Sequence, residues 1–321
     1  VHAAVDADRA PQPTLGGLQP ALDPADVALI KTQFLSAIRQ RRDDPDALAE
    51  YLADSIAFAG HPYGIPVVGT EASIASLDAK ALRDYHSSQF VKSRMLLVVV
   101  GNVDRPHVER LVRGTLSKLP QGGYTWTMPS RLPAQNSAVV VEERSLPTNY
   151  IVGYFSGPLA NTDDYHALRI ATSVLTGRMF SEIRTRQNLT YDVHSPFLDR
   201  AASAGGLYVS TASPDTTLKL MYRAVRELQE GLLDPAGLEQ MERQFLTEYF
   251  LDNETNDAQA NFLARAQLYR GDYRAAERFV DELKGVTPEA VRRVARQYIR
   301  GIRFAYVGDP RSLRRELMTR F

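Results

Sequence analysis

LDPADVALIKTQFLS, residues 22–36, and LDPAGLEQMERQFLT, residues 233–247, are one stretch of sequence present twice. The match runs without a gap from 22–60 onto 233–271, with 13 identities in 39 positions. Within it DALAEYLA (46–53) meets DAQANFLA (257–264). A repeat of this length sets the architecture before any motif does. It resumes after a two-residue shortening, with SLDAKALRDYHSSQF (76–90) on GVTPEAVRRVARQYI (285–299) and MLLVVVGNVD (95–104) on IRFAYVGDP (302–310).

Both copies read the same way physically. Asp23 and Asp234 are N-cap candidates, with Pro24 and Pro235 at the first helical position. Val27, Ile30, Phe34 and Ile38 follow at helical spacing, as do Leu238, Met241, Phe245 and Tyr249. A second helix comes next, then a third capped by Asp78 or Thr287, and each copy closes on a strand ending at Gly101 or Gly308. PQGGYTWTMPSRLPAQN (120–136) has three prolines, two glycines and no apolar period, and reads as a linker. The expected division is therefore 1–119, a linker at 120–136, and 137–321.

The second copy opens with AVVVEER (138–144) and YIVGYFSG (150–157), two strands around a Pro-Thr-Asn turn. Thr162 starts a helix through Leu175 that Gly177 is expected to end. Gly205 and Gly206 mark a turn or bulge before the strand GLYVSTA (206–212), and 214–231 is an amphipathic helix. About 95 residues, 138–232, precede LDPAGL, whereas 21 precede LDPADV. The first copy is thus expected to lack its opening strands and helix. A partner chain, a rearranged domain or residues outside this sequence would have to cover the exposed sheet edge.

Composition narrows the function classes. Lys+Arg and Asp+Glu both count 38 in 321 residues, so the basic excess of a general nucleic-acid binder is missing. The four arginines in 311–320 read as a solvated helix face. There is no cysteine, which removes disulfides, thiolate ligands and thiol nucleophiles together. No run approaches the ~18 apolar residues of a transmembrane segment, and no charged-then-apolar leader is visible. At 44% hydrophobic and 24% charged, the chain has the makeup of a globular protein.

GHPYGIPVVGT (60–70), followed by a helix and VVVGNVD (98–104), resembles the first half of the insulinase, pitrilysin and mitochondrial-processing-peptidase family. FSEIRTRQNLTYDVHS (180–195) resembles the second half, and the likeness covers roughly residues 20–315. It implies an α/β (α+β) fold of two repeated insulinase-type domains. Each would be a largely antiparallel sheet packed with helices, the first incomplete at its N-terminus. It also implies zinc peptidase ancestry, in which an inverted His-x-x-Glu-His helix and a downstream glutamate hold zinc that ionises a water.

This chain departs from that pattern. Its histidines are His2, His61, His86, His107, His166 and His194, the closest two 21 apart, and the position of the third-ligand glutamate falls at Ala37. No catalytic or metal-binding residue is therefore expected in this chain. Zinc is expected in a catalytic partner or in a missing N-terminal segment. The resemblance assigns substrate binding to Arg184 and Tyr191, seven residues apart. A guanidinium and a phenol both donate to a carbonyl whose charge grows in the transition state.

Other residues read as structural. His61 and Tyr63 shape a loop around Pro62 and Gly64, Glu248, at the place matching Ala37, is a helix-surface charge, and His194 is a satisfied polar side chain. The expected role is a non-catalytic subunit that binds peptide or unfolded polypeptide. It would complete a peptidase chamber with a zinc-bearing family partner, or with further copies of itself, in the periplasm or cell envelope. The alternatives are an active zinc metalloendopeptidase whose zinc-binding segment lies outside this sequence, a structural core-type subunit, and a small-ligand binding module.

Overall fold

Apolar residues crowd both faces of YIVGYF (150–155), the pattern of a strand covered on two sides. The computed structural model, which describes residues 18–132 and 136–321, places this stretch in the middle of a six-stranded sheet. The chain runs through α1 (Pro24–Asp43), α2 (Pro45–Ala57), α3 (Glu71–Ser76), α4 (Ala79–Gln89) and α5 (Arg105–Gly114), then β1 (Ala138–Glu143) and β2 (Asn149–Leu159). Helix α6 (Asp164–Met179), β3 (Thr190–His194), β4 (Phe197–Leu198), β5 (Ala202–Thr211) and α7 (Pro214–Glu230) follow. Last come α8 (Pro235–Asp252), α9 (Asn256–Arg270), α10 (Phe279–Lys284), α11 (Pro288–Tyr298) and β6 (Arg303–Gly308). The fold is mixed α/β.

Residues 39–67, 129–247 and 277–321 form one compact unit, which holds the sheet. Strand order is β1-β6-β2-β5-β3, with β4 also on β5; β1 pairs β6 in parallel and the other pairs are antiparallel. The strands around the Pro-Thr-Asn turn are consecutive but do not pair with each other, because β6 lies between them. Phe304, Ala305, Tyr306 and Val307 are fully buried on both faces of β6, and such a strand is stable only inside a sheet.

One face of the sheet is covered by α2. Its Leu48, Ala49, Ala53 and Ala57 pack with Phe58 against Val152, Tyr154, Ala204, Tyr208, Ala305 and Val307. Ala49 and Ala53 have no exposed surface, so the helix backbone sits close to the strands. Intervening strand residues such as Ile151, Leu207 and Phe304 are buried on the other face, where α6, α7 and α11 pack with Leu168, Leu218 and Val291 buried.

Two expectations are corrected here. Gly205 and Gly206 lie inside β5, paired with Phe155 and Tyr154, rather than in a turn. A Cβ on Gly205 would stand 2.3 Å from the Phe155 ring, so close approach rather than bending requires glycine. Nor does Gly177 end α6. The helix continues to Met179 and then as a π-helix, Phe180–Arg186, anchored by the buried side chains of Leu175, Met179 and Ile183.

A second compact unit gathers residues 1–38, 68–128 and 248–276, of which the first seventeen lie outside the described residues. Trp126 donates its indole N–H to the Leu268 carbonyl at 3.1 Å, and Phe262 and Leu263 pack on Ala266, Ala275 and Ala276. The strand expected at 95–100 is not paired among the described residues, and Leu96, Leu97 and Val99 are exposed. A strand needs a neighbour; its counterpart β6 has one on each side.

The predicted caps are present. Asp23 and Asp234 accept from Ala25 N and Gly237 N, and Asp78 and Thr287 from Ala81 N and Ala290 N. Among the described residues, no helix is long and apolar enough to cross a membrane.

Candidate functional site

Phe180–Arg186 is wound as a π-helix, a rare conformation that recurs at functional sites. Its end is tied down by the amides of Gln187, Asn188 and Leu189, which donate to the carbonyls of Glu182, Arg184 and Ile183 at 3.2, 3.1 and 3.0 Å. Asn188 then takes a positive φ of 50° and turns the chain into β3. Arg186 bonds Glu182 at 3.0 Å and, with Gln187 next in effect, holds its carboxyl below the usual range.

This winding brings the two predicted substrate-binding residues together. Arg184 Nη1 donates to the Tyr191 carbonyl at 2.6 Å, and its guanidinium carbon lies 4.7 Å from the Tyr191 ring centre and 5.0 Å from that of Phe180. The cation is thus held against two aromatic rings. Tyr191 keeps 80% of its surface exposed and Phe180 43%. A guanidinium has five N–H donors, and one is used on the strand backbone. A phenol and a guanidinium are both hydrogen-bond donors. Phe180 was missed by sequence reasoning, although its spacing of four from Arg184 in a helical stretch was a usable signal.

β3 lies at the sheet edge, beside β5. Thr190 ties it in, its hydroxyl lying 2.6 Å from the Ser210 carbonyl, and a register shift between Thr190 and Val193 sets Tyr191 and Asp192 in an irregular stretch. His194 is a partnered side chain: Nδ1 lies 3.2 Å from Asp192 Oδ1 and the ring stacks on Tyr208 at 4.6 Å. Ser181, Glu182 and Arg186 line an open groove of about 1170 Å³ with Arg178 and Arg223; Arg184 and Tyr191 are not in its wall.

The other singled-out residues are structural. His61 Nδ1 accepts from Tyr63 N at 3.2 Å, its Nε2 lies 3.3 Å from the Ser130 carbonyl, and Gly64 sits where a Cβ would be 2.6 Å from the Phe58 carbonyl oxygen. Ala37 is exposed on α1 and offers no donor. Among the described residues no three His, Cys, Asp or Glu side chains converge to hold a metal. The described residues therefore offer no donor set that fits zinc.

The family profile described as "Peptidase M16 inactive domain" matches residues 76–245. An uncharacterized zinc protease of Mycobacterium leprae is 26% identical over 287 residues, 85% of this chain and 64% of that protein. A non-peptidase homolog of Helicobacter pylori is 25% identical over 243 residues, 72% of this chain and 55% of its own length. This chain therefore spans less than two thirds of either relative. Among solved structures, a peptidase M16 inactive domain from Pseudomonas fluorescens superposes with a TM-score of 0.81 at 19% identity, over 90% of this chain and 72% of that one.

Proposed function

The chain belongs to the peptidase M16 family, and from that premise we propose that it is a non-catalytic subunit that holds an extended peptide through Arg184 and Tyr191. The observation that carries this reading is the Phe180–Arg184–Tyr191 stack, which fixes a cation beside an exposed phenol at a sheet edge. Both groups donate to backbone carbonyls without reading side chains, which suits an unfolded polypeptide substrate. The described residues, which offer no donor set that fits zinc, and the name of the Helicobacter pylori homolog favour the non-catalytic form. A zinc-bearing relative, or another copy, would then close a peptide chamber with this chain in the cell envelope.

The same reading takes the chain as two repeated domains joined at 120–136, with the first lacking its opening strands. The shared caps at Asp23 and Asp234, and at Asp78 and Thr287, support the duplication.

The test is to purify the chain and titrate it into a fluorescein-labelled unstructured peptide, reading anisotropy, while mass spectrometry follows cleavage and elemental analysis follows zinc. Saturable binding with no cleavage and no stoichiometric zinc is expected. One zinc per lone chain with cleavage would overturn the non-catalytic assignment. A second reading rests on the Mycobacterium leprae relative, named a zinc protease, of which this chain spans 64%. In it, zinc ligands lie in the uncovered part, and Ala37 would need a substitute donor from elsewhere.

A further inference from the structure

Asp46, Glu50 and Asp54 are spaced by four residues along α2, in one stripe beside its apolar face. The helix covers the sheet with that apolar face, so the carboxylates stand at the margin of the seat. Tyr208 of β5 donates its hydroxyl to Asp46 at 2.8 Å. Asp54 has one carboxylate oxygen out of contact with solvent and without a hydrogen-bond partner. Arg200, between β4 and β5, is clamped between Phe58 and Tyr63, at 5.1 and 5.0 Å, and also has a buried N–H nitrogen, Nη1, without a partner. A buried, unpaired carboxylate oxygen weakens the seat whenever it is charged.

We propose that this margin is an acid-tightened clasp: as pH falls from neutral, α2 is held more firmly to the sheet, and with it the strand that carries Tyr191.

The groups acting on the row are Asp44 on the same segment, His194 on β3, Tyr154 on β2, Tyr208 on β5 with Asp192 and Tyr150 acting on it in turn, and Arg200. Of the other strands packed on α2, β6 carries Arg303 in register with Tyr154 and β1 carries Glu142 in register with Val307. Burial first, then Asp46 and Asp54, push the Glu50 carboxyl above the ordinary range, with His194 opposing. Burial pushes Asp54 up as well, with Arg200 opposing. A carboxyl raised in the docked state binds its proton more readily docked than free. Docking is therefore weakest above the docked-state pKa and strengthens as pH falls through it, levelling off below the free value. His194 joins the clasp to the site, since it stacks on the same Tyr208 that bonds Asp46 and lies three residues after Tyr191.

Hydrogen exchange read by mass spectrometry on the full chain tests the clasp, at about pH 7.5 and about pH 5.5 after correction for intrinsic exchange rates. Peptides from α2 should gain protection in acid relative to peptides from α7. In the double variant Glu50→Gln/Asp54→Asn, α2 should be as protected near neutrality as the native helix is in acid, with little further pH response. Unchanged or reduced α2 protection in acid would overturn the proposal, and so would a double variant that keeps the native response. Should the double variant not fold, Glu50→Gln alone must shrink the response; if it does not, the clasp is wrong. Peptide binding is not an arm of this experiment, so the clasp can fail while the peptide-holding role stands.

Discussion

At the scale of single residues, chemistry and packing separate cleanly. Arg184 is held by one hydrogen bond and two rings, on the surface side of a turn whose buried anchors are Met179 and Ile183. Arg184→Ala should therefore lower peptide affinity about tenfold, or ~1.4 kcal/mol, with the melting temperature nearly unchanged. Tyr191→Phe should give a smaller loss in the same anisotropy titration, because the ring still stacks and only the hydroxyl goes. Gly308 makes the opposite case. A Cβ there would stand 2.2 Å from Oδ1 of Asn149, a buried amide oxygen that accepts from the Tyr306 hydroxyl at 2.7 Å and the Asp309 amide at 3.0 Å. Gly308→Ala should destabilise the chain by about 1–3 kcal/mol in a urea titration, through overpacking, and leave peptide contacts alone. That Arg184 and Tyr191 lie together was legible from their flanking motif, and Gly308 as a strand end from the repeat. Asn149 was not singled out, because a buried polar knot depends on partners more than 150 residues away in sequence.

Helices and strands carry the next level of prediction. Thr287 caps α11 through its hydroxyl, which accepts from Ala290 N at 3.2 Å, and Thr287→Ala should cost about 1 kcal/mol, seen as a fall of roughly 2–4 °C in melting temperature. Ala53, with no exposed surface where α2 meets the sheet, allows no larger side chain. Ala53→Leu should loosen that helix selectively by about 1–3 kcal/mol, raising exchange in α2 more than in α6. The cap is a local signal, since the side chain and its partner are three residues apart, and it was readable. The partner of α2 was not. Amphipathic spacing states that a helix has an apolar face without stating which sheet receives it. The π-helix escaped for a related reason: Gly177 suggested an end, and the buried row Leu175, Met179 and Ile183 outweighed it.

Over the whole chain, acid should act in opposite directions on opposite faces of the sheet. Burial works against the Asp164 carboxylate, but hydrogen bonds from Arg293 at 2.6 Å and Tyr298 at 2.7 Å outweigh it and hold its pKa below the ordinary value of 3.8. Its contribution to the packing of α6 on α11 is complete above the unfolded pKa and disappears as pH falls through the lower folded one. Exchange in α11 should therefore rise below about pH 4 and do so less steeply in Arg293→Met, whereas α2 tightens over the milder acid range above it. The sequence by itself determined the helices, their caps, the mixed α/β class, and the family blocks at 60–70 and 180–195, because each of these is written in spacing, breakers and neighbours along the chain. Only the tertiary structure decided that β6 enters between β1 and β2, that α2 covers this sheet, and that Phe180 joins Arg184 and Tyr191. Those outcomes depend on which apolar face finds which surface, and burial is blind to distance along the chain.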